Sequence, residues 1–267
     1  VEVAGQPLIV WHIKALQAQG WLKYATEGSY ASPTSYLRKP SGKLRMVIDL
    51  RKVNKHIKPS TVPQPHVLAT LQRLQGFSDF TDMDWVTAYH QVPLDEPSQE
   101  RLAMTTPVGL FRPRFLPEGV SVGSGIMMAV VYAIFQDFEE WLIAIHDNIL
   151  IAAHGPEDMA KKIKRVFRRC AEVGVQLNIK KCHFGVKSLN FFGYVVQAGS
   201  YRIEDERIED ILQIPFPKTK KQVQRYIGMC VFVSPFIPFF VEAFTKLYDM
   251  IKDGFSFDET TWQTDYH

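Results

Sequence analysis

The chain has 267 residues, 46% hydrophobic and 22% charged, with a formal net charge of +3, which is ample apolar material for one large domain or two modest ones. Charged residues interrupt every apolar run before the roughly 18 residues that span a bilayer, and the first residues lack a basic-then-apolar signal pattern, so no membrane insertion is expected. Cys170, Cys182 and Cys230 are an odd set without paired spacing. They suggest neither a disulfide framework nor a zinc site, and an intracellular, reducing compartment is the default.

In chain order, residues 1–28 read as a lead-in with a short helix around Ile13 to Leu22. Val47-Ile48-Asp49-Leu50 reads as a strand after the turn Pro40-Ser41-Gly42, and His66 to Leu74 as a helix stopped by Gly76. The apolar run Trp141 to Ala153 divides into two short buried strands, Leu142–Ile145 and Ile149–Ala152, with His146-Asp147-Asn148 as a tight turn at a sheet edge. Asp147 and Asn148 both tolerate left-handed backbone, so by itself the turn reads as structural.

From Pro156 to Val173, Met159, Ile163, Val166, Phe167, Cys170 and Val173 recur at helical spacing. Lys161, Lys162, Lys164, Arg165, Arg168 and Arg169 fill the rest, either as a solvated face or as a duplex-contacting one with steep salt dependence. Pro156, Glu157 and Asp158 start this helix and Gly174 stops it. Phe191–Val196 and Tyr201–Ile203 form a hairpin around Ala198-Gly199-Ser200. Glu204–Leu212 reads as a helix broken by Pro215 and Pro217, Thr219-Lys220-Lys221-Gln222 as a capping box opening another, and a third helical stretch follows Pro238. His90, His146 and His154 show no metal-ligand spacing.

Two segments carry more than folding information. Phe80-Thr81-Asp82-Met83-Asp84-Trp85-Val86-Thr87-Ala88-Tyr89-His90-Gln91 puts an aromatic five residues after Asp84, followed by His-Gln, and Ile145-His146-Asp147-Asn148 puts an aspartate on a hairpin between apolar strands. Together they resemble the reverse transcriptases of Ty3/gypsy long-terminal-repeat retroelements, of the caulimovirus and retrovirus type. The resemblance extends from about Tyr30 to Trp262, through Lys39–Asn54, Leu177–Phe184 and Phe191–Val196.

The resemblance implies an α+β right-hand fold of fingers, palm and thumb, without the RNase H domain. Its expected boundaries are a lead-in over 1–28, fingers and palm over 29–200 (fingers about 29–75 and 91–118, palm about 76–90 and 119–200), a thumb-like helical region over 201–253, and from 254 to 267 the start of a linker towards a missing domain. The chain is then expected to be a piece of something longer.

It also implies roles for individual residues. Asp84 and Asp147 match the carboxylates that bridge two magnesium ions, which stabilise the attacking and leaving oxygens of an in-line displacement at phosphorus. Asn148 stands where the family's Tyr-x-Asp-Asp motif has its second aspartate, and the motif's tyrosine is absent. At about 4 Å and an effective dielectric near 20, one lost carboxylate removes up to about 4 kcal/mol of cation attraction, roughly a thousandfold in rate. Arg45, with Lys39 and Lys43 nearby, matches a triphosphate contact, and Tyr89 the aromatic that excludes a ribose 2′-hydroxyl. Met128 replaces a glutamine of the nucleotide pocket, and Glu118 replaces an apolar residue near where a triphosphate enters. Taken singly, Arg45 reads as a surface residue, Tyr89 as a core aromatic and Asp84 as a turn or cap residue.

Three functions therefore stand open. The first is a reverse transcriptase-like module that has lost most or all polymerase activity. It would act structurally or bind nucleic acid in a larger, ribonucleoprotein-like assembly, with no bound cofactor. The second is an RNA-directed DNA polymerase using magnesium or manganese on Asp84 and Asp147, and the third is a protein-only scaffold. Lys161, Arg165, Arg168, Lys218, Lys220 and Lys221 are the candidate contacts to RNA or an RNA/DNA duplex, and protein partners are expected.

Overall fold

A computed structural model describes residues 6–28, 30–38, 42, 44–215 and 217–252. The chain divides into two compact units, one running to Leu189 with Gln197–Gly199 added, the other holding Asn190–Val196 and the residues from Ser200 onward. The expected contact Lys39, its neighbour Lys43, and the expected linker beyond residue 253 lie outside the described residues.

The first unit begins with α1 (Gln6–Ala18) and β1 (Leu22–Tyr24), so the lead-in helix starts earlier than its apolar spacing suggests and Leu22 belongs to a strand. β2 (Ser32–Arg38) and β3 (Leu44–Ile48) pair antiparallel around Gly42, whose φ of 79° suits a residue without a Cβ. β3 ends at Ile48, because the Asp49 side chain turns to accept bonds from the backbone and guanidinium of Arg51 and the chain bends into α2 (Arg51–Asn54). α3 (Val67–Gln72) is shorter than expected, the chain continuing in turns to Gly76.

After α3 come β4 (Asp79–Asp84), α4 (Glu96–Arg101), β5 (Met104–Thr106) and β6 (Gly109–Pro113). β1, β6, β5, β2 and β3, in that order, form a five-stranded sheet whose core gathers Ile13, Leu22, Met104 and Phe111.

The other sheet of this unit positions the site. α5 (Gly123–Phe135) leads into β7 (Leu142–Ile145), β8 (Asn148–Ala153), α6 (Gly155–Val173) and β9 (His183–Val186), and the strands assemble in the order β7-β8-β4-β9. β8 is buried along nearly its whole length, hence its continuous apolar run. Along β4, Thr81 and Met83 point to one face, where Thr81 donates to the sulfur of Met159 on α6 and Met83 packs with Met127, Ile149 and Val166. Period-two alternation then turns Asp82 and Asp84 to the opposite face. Helices cover one side of the sheet, and the carboxylates point to the other.

α6 starts at Gly155, whose amide donates to the buried Asp79 carboxylate, while Asp158 accepts from the amide of His154. Lys187, then Ser78, hold the Asp79 carboxyl below the usual range. Cys170, buried on the inner face of this helix, has its thiol pushed up to about 11 by burial. Cys170, Cys182 and Cys230 are all free thiols.

Next come β10 (Ser188–Phe191), β11 (Tyr194–Gln197) and β12 (Ser200–Ile203), a three-stranded sheet in that order, and the second unit starts within β10 at Asn190. The expected single strand Phe191–Val196 is in fact two, because Phe192 and Gly193 both adopt positive φ and turn the chain. A Cβ on Gly193 would come within 3.0 Å of Phe232, whose ring stacks on Tyr194. α7 (Asp205–Leu212), α8 (Lys220–Val233), α9 (Phe240–Ala243) and α10 (Thr245–Met250) follow, and Val223, Ile227, Leu247 and Met250 form their core. Thr219 caps α8 by accepting from the amide of Gln222, but Gln222 reaches back to the amide of Lys218 rather than of Thr219, so the capping box closes one residue early.

Candidate active site

The β7–β8 connection is tighter than the sequence suggests. Ile145 pairs directly with Asn148, leaving a two-residue loop, His146-Asp147, with His146 at a φ of 54°. Asn148 is therefore the first residue of β8 and not part of the turn, and it faces Asp84 as a register partner across β4 and β8. The turn is pinned from two sides: Trp85 donates its amide to the Asp147 carbonyl at 3.0 Å, and His146 donates its amide to the Met128 sulfur at 3.4 Å. Sheet pairing thus brings Asp84, Asp147 and Asn148, 63 and 64 residues apart in the chain, to one strand end.

Each carboxylate there already has a partner. Asn148 Nδ2 donates to Asp147 Oδ1 at 3.0 Å, a bond that an ionised aspartate at the same place, having only acceptors, cannot make. Lys181 Nζ sits 2.9 Å from Asp84 Oδ2, and the backbone of Asn178 holds its short helical turn against the Asp84 carbonyl. Lys181 falls within the segment Leu177–Phe184, to which the resemblance extends, but the resemblance gives it no site role. The Lys180-Lys181 pair after Asn178 was its visible trace, yet nothing local aims one lysine of the two at a strand 97 residues away.

The donor set can be tested against a divalent ion. Asp84 and Asp147 supply the hard oxygens that magnesium or manganese prefers, with phosphate oxygens expected to complete the shell. Among the described residues no group of three or more His, Cys, Asp or Glu is placed to hold a metal. Asn148 adds a neutral amide oxygen. By donor chemistry the strand end therefore offers two carboxylates and one neutral amide, one negative charge fewer than three carboxylates would bring.

Arg45 of β3 forms an ion pair with Glu118, so two of the positions that the resemblance singles out hold each other. The Glu118 loop is itself fixed, since Asn54 Nδ2 donates to the Gly119 carbonyl and Asn54 Oδ1 accepts from the Ser121 amide. Tyr89 sits between the two halves of the site: burial first, then the negative charges of Asp147 and Glu118, raise the pKa of its hydroxyl. Gly123, at the start of α5, makes room for it, because a Cβ there would lie 3.3 Å from the ring. His90 is mostly buried and its pKa is lowered by that burial, partly offset by Glu118. Its ring meets Trp21 edge-on at 4.2 Å. Arg45, Thr87, His90, Glu118, Trp21 and His12 all border one cavity of about 550 Å³, so the lead-in, which lies outside the resemblance, helps to line it. Met128, in the glutamine position, is buried and offers only its sulfur.

The basic candidates of α6 are placed elsewhere. Lys161, Arg165 and Arg168 project from α6, which packs on the Thr81 and Met83 face of the sheet, opposite the face of Asp84. Arg165 lies over the rings of Phe138 and Trp141 at 4.9 and 5.4 Å. Lys218, Lys220 and Lys221 belong to the second unit, at the start of α8.

Comparison with known proteins agrees with this arrangement. Residues 37–196 match the family described as reverse transcriptase (RNA-dependent DNA polymerase). The Transposon Tf2-7 and Tf2-3 polyproteins of Schizosaccharomyces pombe are 28% and 27% identical over 235 residues, which is 88% of this chain and 18% of theirs. The chain thus spans less than a fifth of the length of these curated relatives. The foamy viral protease-reverse transcriptase in complex with dsDNA superposes with a TM-score of 0.82 at 25% identity, covering 94% of this chain and 52% of that one. Its complex with an RNA/DNA hybrid gives 0.78 at 24% identity, over 94% and 34%. With the aspartate-bearing hairpin, the Asp84 strand and the family match all falling on the same residues, the chain belongs to the reverse transcriptase family, of the Ty3/gypsy type that its transposon relatives represent.

Proposed function

We propose that this is a retroelement-derived reverse transcriptase module with severely impaired polymerase chemistry, acting as a structural or nucleic-acid-binding part of a larger assembly. In this reading residues 29–75 and 91–118 are fingers, 76–90 and 119–200 palm, and 201–253 thumb. The observation that carries it is Asn148, an amide bonded to Asp147 on the strand that faces Asp84. Lys181 on Asp84 and Glu118 on Arg45 act in the same direction, each placing a protein charge where a metal or a phosphate would otherwise be held. The foamy viral relatives hold dsDNA or an RNA/DNA hybrid, and the same class of duplex is the proposed ligand here.

The second reading, an active RNA-directed DNA polymerase, is favoured by the retention of Asp84, Asp147, Arg45 and Tyr89. Asp84 and Asp147 would hold magnesium or manganese, which supplies Lewis-acid stabilisation of the displaced phosphate oxygens. Arg45 would orient the triphosphate once released from Glu118, and Tyr89 would close the pocket against a 2′-hydroxyl. Primer extension on RNA and DNA templates with either metal, beside Asp84→Ala and with template binding recorded in the same samples, separates the readings. We expect salt-sensitive binding without extension. Extension that Asp84→Ala abolishes would establish the polymerase, and absence of both would leave the protein-only scaffold.

A second test addresses the nucleotide side alone. Arg45 and Glu118 are about half exposed, so their pair contributes little to stability, but Glu118 opposes a triphosphate. Glu118→Leu is expected to tighten binding of a labelled deoxynucleoside triphosphate roughly threefold to tenfold at low salt, the gain shrinking as salt rises. Unchanged affinity at low salt would show that Glu118 does not guard the pocket.

A further inference from the structure

On the first unit, away from the strand end that carries Asp84, α2, α4 and the start of α5 enclose an open concavity of about 1040 Å³. Its floor is aliphatic: Leu102, Leu116 and Val120 are buried core residues, while Ile57, Leu94 and Ile126 are only partly covered and still face the opening. Its rim is cationic. Lys52 and Lys55 stand on and just after α2, Arg101 ends α4, and all three are exposed. Neither Lys55 nor Arg101 enters a salt bridge among the described residues, and no carboxylate lines the space.

Aliphatic side chains lining a recess of this size are the ordinary makings of a small-molecule site, and a solvated rim of one sign selects the charge of what enters. An uncharged apolar ligand would gain nothing from the rim, and a cationic one would be repelled by it. Two exposed rings, Tyr30 and His56, border the space, but bases stack on aromatic faces and the floor between them is aliphatic, so it suits an apolar body better than a run of bases. From these features we infer that the concavity binds an amphipathic organic anion, with an unbranched or alicyclic apolar body on the Leu102, Leu116 and Ile126 floor and a carboxylate or comparable acidic head at Lys52, Lys55 and Arg101. The long aliphatic stems of the lysines extend the apolar wall while their ammonium groups remain in water. This site is independent of whether the chain polymerises DNA.

The test is calorimetric titration of the full chain with dodecanoate below its micellar concentration, beside decanoate, dodecanol and dodecyltrimethylammonium. We expect saturable binding of one dodecanoate per chain, tightening about fourfold for each methylene added between decanoate and dodecanoate, and at least tenfold weaker binding of the cationic amphiphile. The exposed-residue variant Lys52→Glu/Lys55→Glu/Arg101→Glu should lose at least tenfold in dodecanoate affinity, and Ile126→Trp, which fills the floor, should lose binding while retaining the wild-type melting profile. If Ile126→Trp misfolds, the charge-reversal variant decides alone. Non-saturable or multiple binding, equal affinity for both head-group charges, or affinity unaffected by the charge reversal would each overturn the proposal.

Discussion

Restoring a carboxylate with Asn148→Asp is expected to make magnesium-dependent primer extension measurable on a primer-template that the parent binds without extending, with a single-turnover rate roughly two to three orders of magnitude above the parent's detection limit. The magnitude follows from about 4 kcal/mol of cation attraction at intermediate dielectric, each 1.36 kcal/mol being tenfold in rate. The register explains why one substitution suffices: position 148 already lies opposite Asp84 and beside Asp147, so no backbone has to move. The same change costs stability without metal, because it replaces a donated hydrogen bond by two adjacent like charges. The variant should melt below the parent in chelator and recover on adding magnesium. No gain in extension, in a variant that binds template normally, would mean that Glu118, Met128 or Lys181 limits the site instead.

The second large effect is on folding. Ile149, the residue after Asn148, is fully buried on the helix-covered face of β8, against Met83, Met127 and Val131. Ile149→Ala is expected to cost about 2–5 kcal/mol, from lost transfer energy and the cavity left behind, out of a total near 5–15 kcal/mol for an ordinary domain. Urea unfolding followed by circular dichroism should show the midpoint fall with little change in slope. A loss under 1 kcal/mol would mean that the surrounding methionines close the gap. Since β8 also carries Asn148, template binding should weaken at temperatures where the variant begins to melt.

Much of this is legible in the sequence. The alternation of charged and apolar residues along 155–173 specified α6 to within a residue, because an amphipathic helix records its buried face in its own spacing. The unbroken apolar runs on either side of His146 specified two buried strands for the same reason. Asp84, Asp147, Tyr89 and Arg45 were identified by motif, and the structure puts the first two at one strand end.

What stayed hidden depended on pairing between distant segments. By local chemistry Asn148 is an ordinary turn residue, and only its partners Ile145 and Asp84 place it in the strand, which shortens the turn by one residue. The Lys181–Asp84 and Arg45–Glu118 contacts join residues 97 and 73 apart, and no local pattern encodes them. The basic face of α6 was visible as charge, but which side of the sheet it covers was settled by Thr81 and Met83 pointing towards the helix while Asp84 points away.

The sequence by itself thus determined the family, the strand and helix patterns, and the motif positions of Asp84, Asp147 and Asn148, all properties of short segments. Tertiary structure alone decided that Asn148 donates to Asp147, that Lys181 and Glu118 engage Asp84 and Arg45, two positions the resemblance singles out, and that an apolar recess with a cationic rim lies beside α2 and α4. The physical reason is that hydrogen bonds and ion pairs act within a few ångströms in space, a distance that chain separation does not reveal.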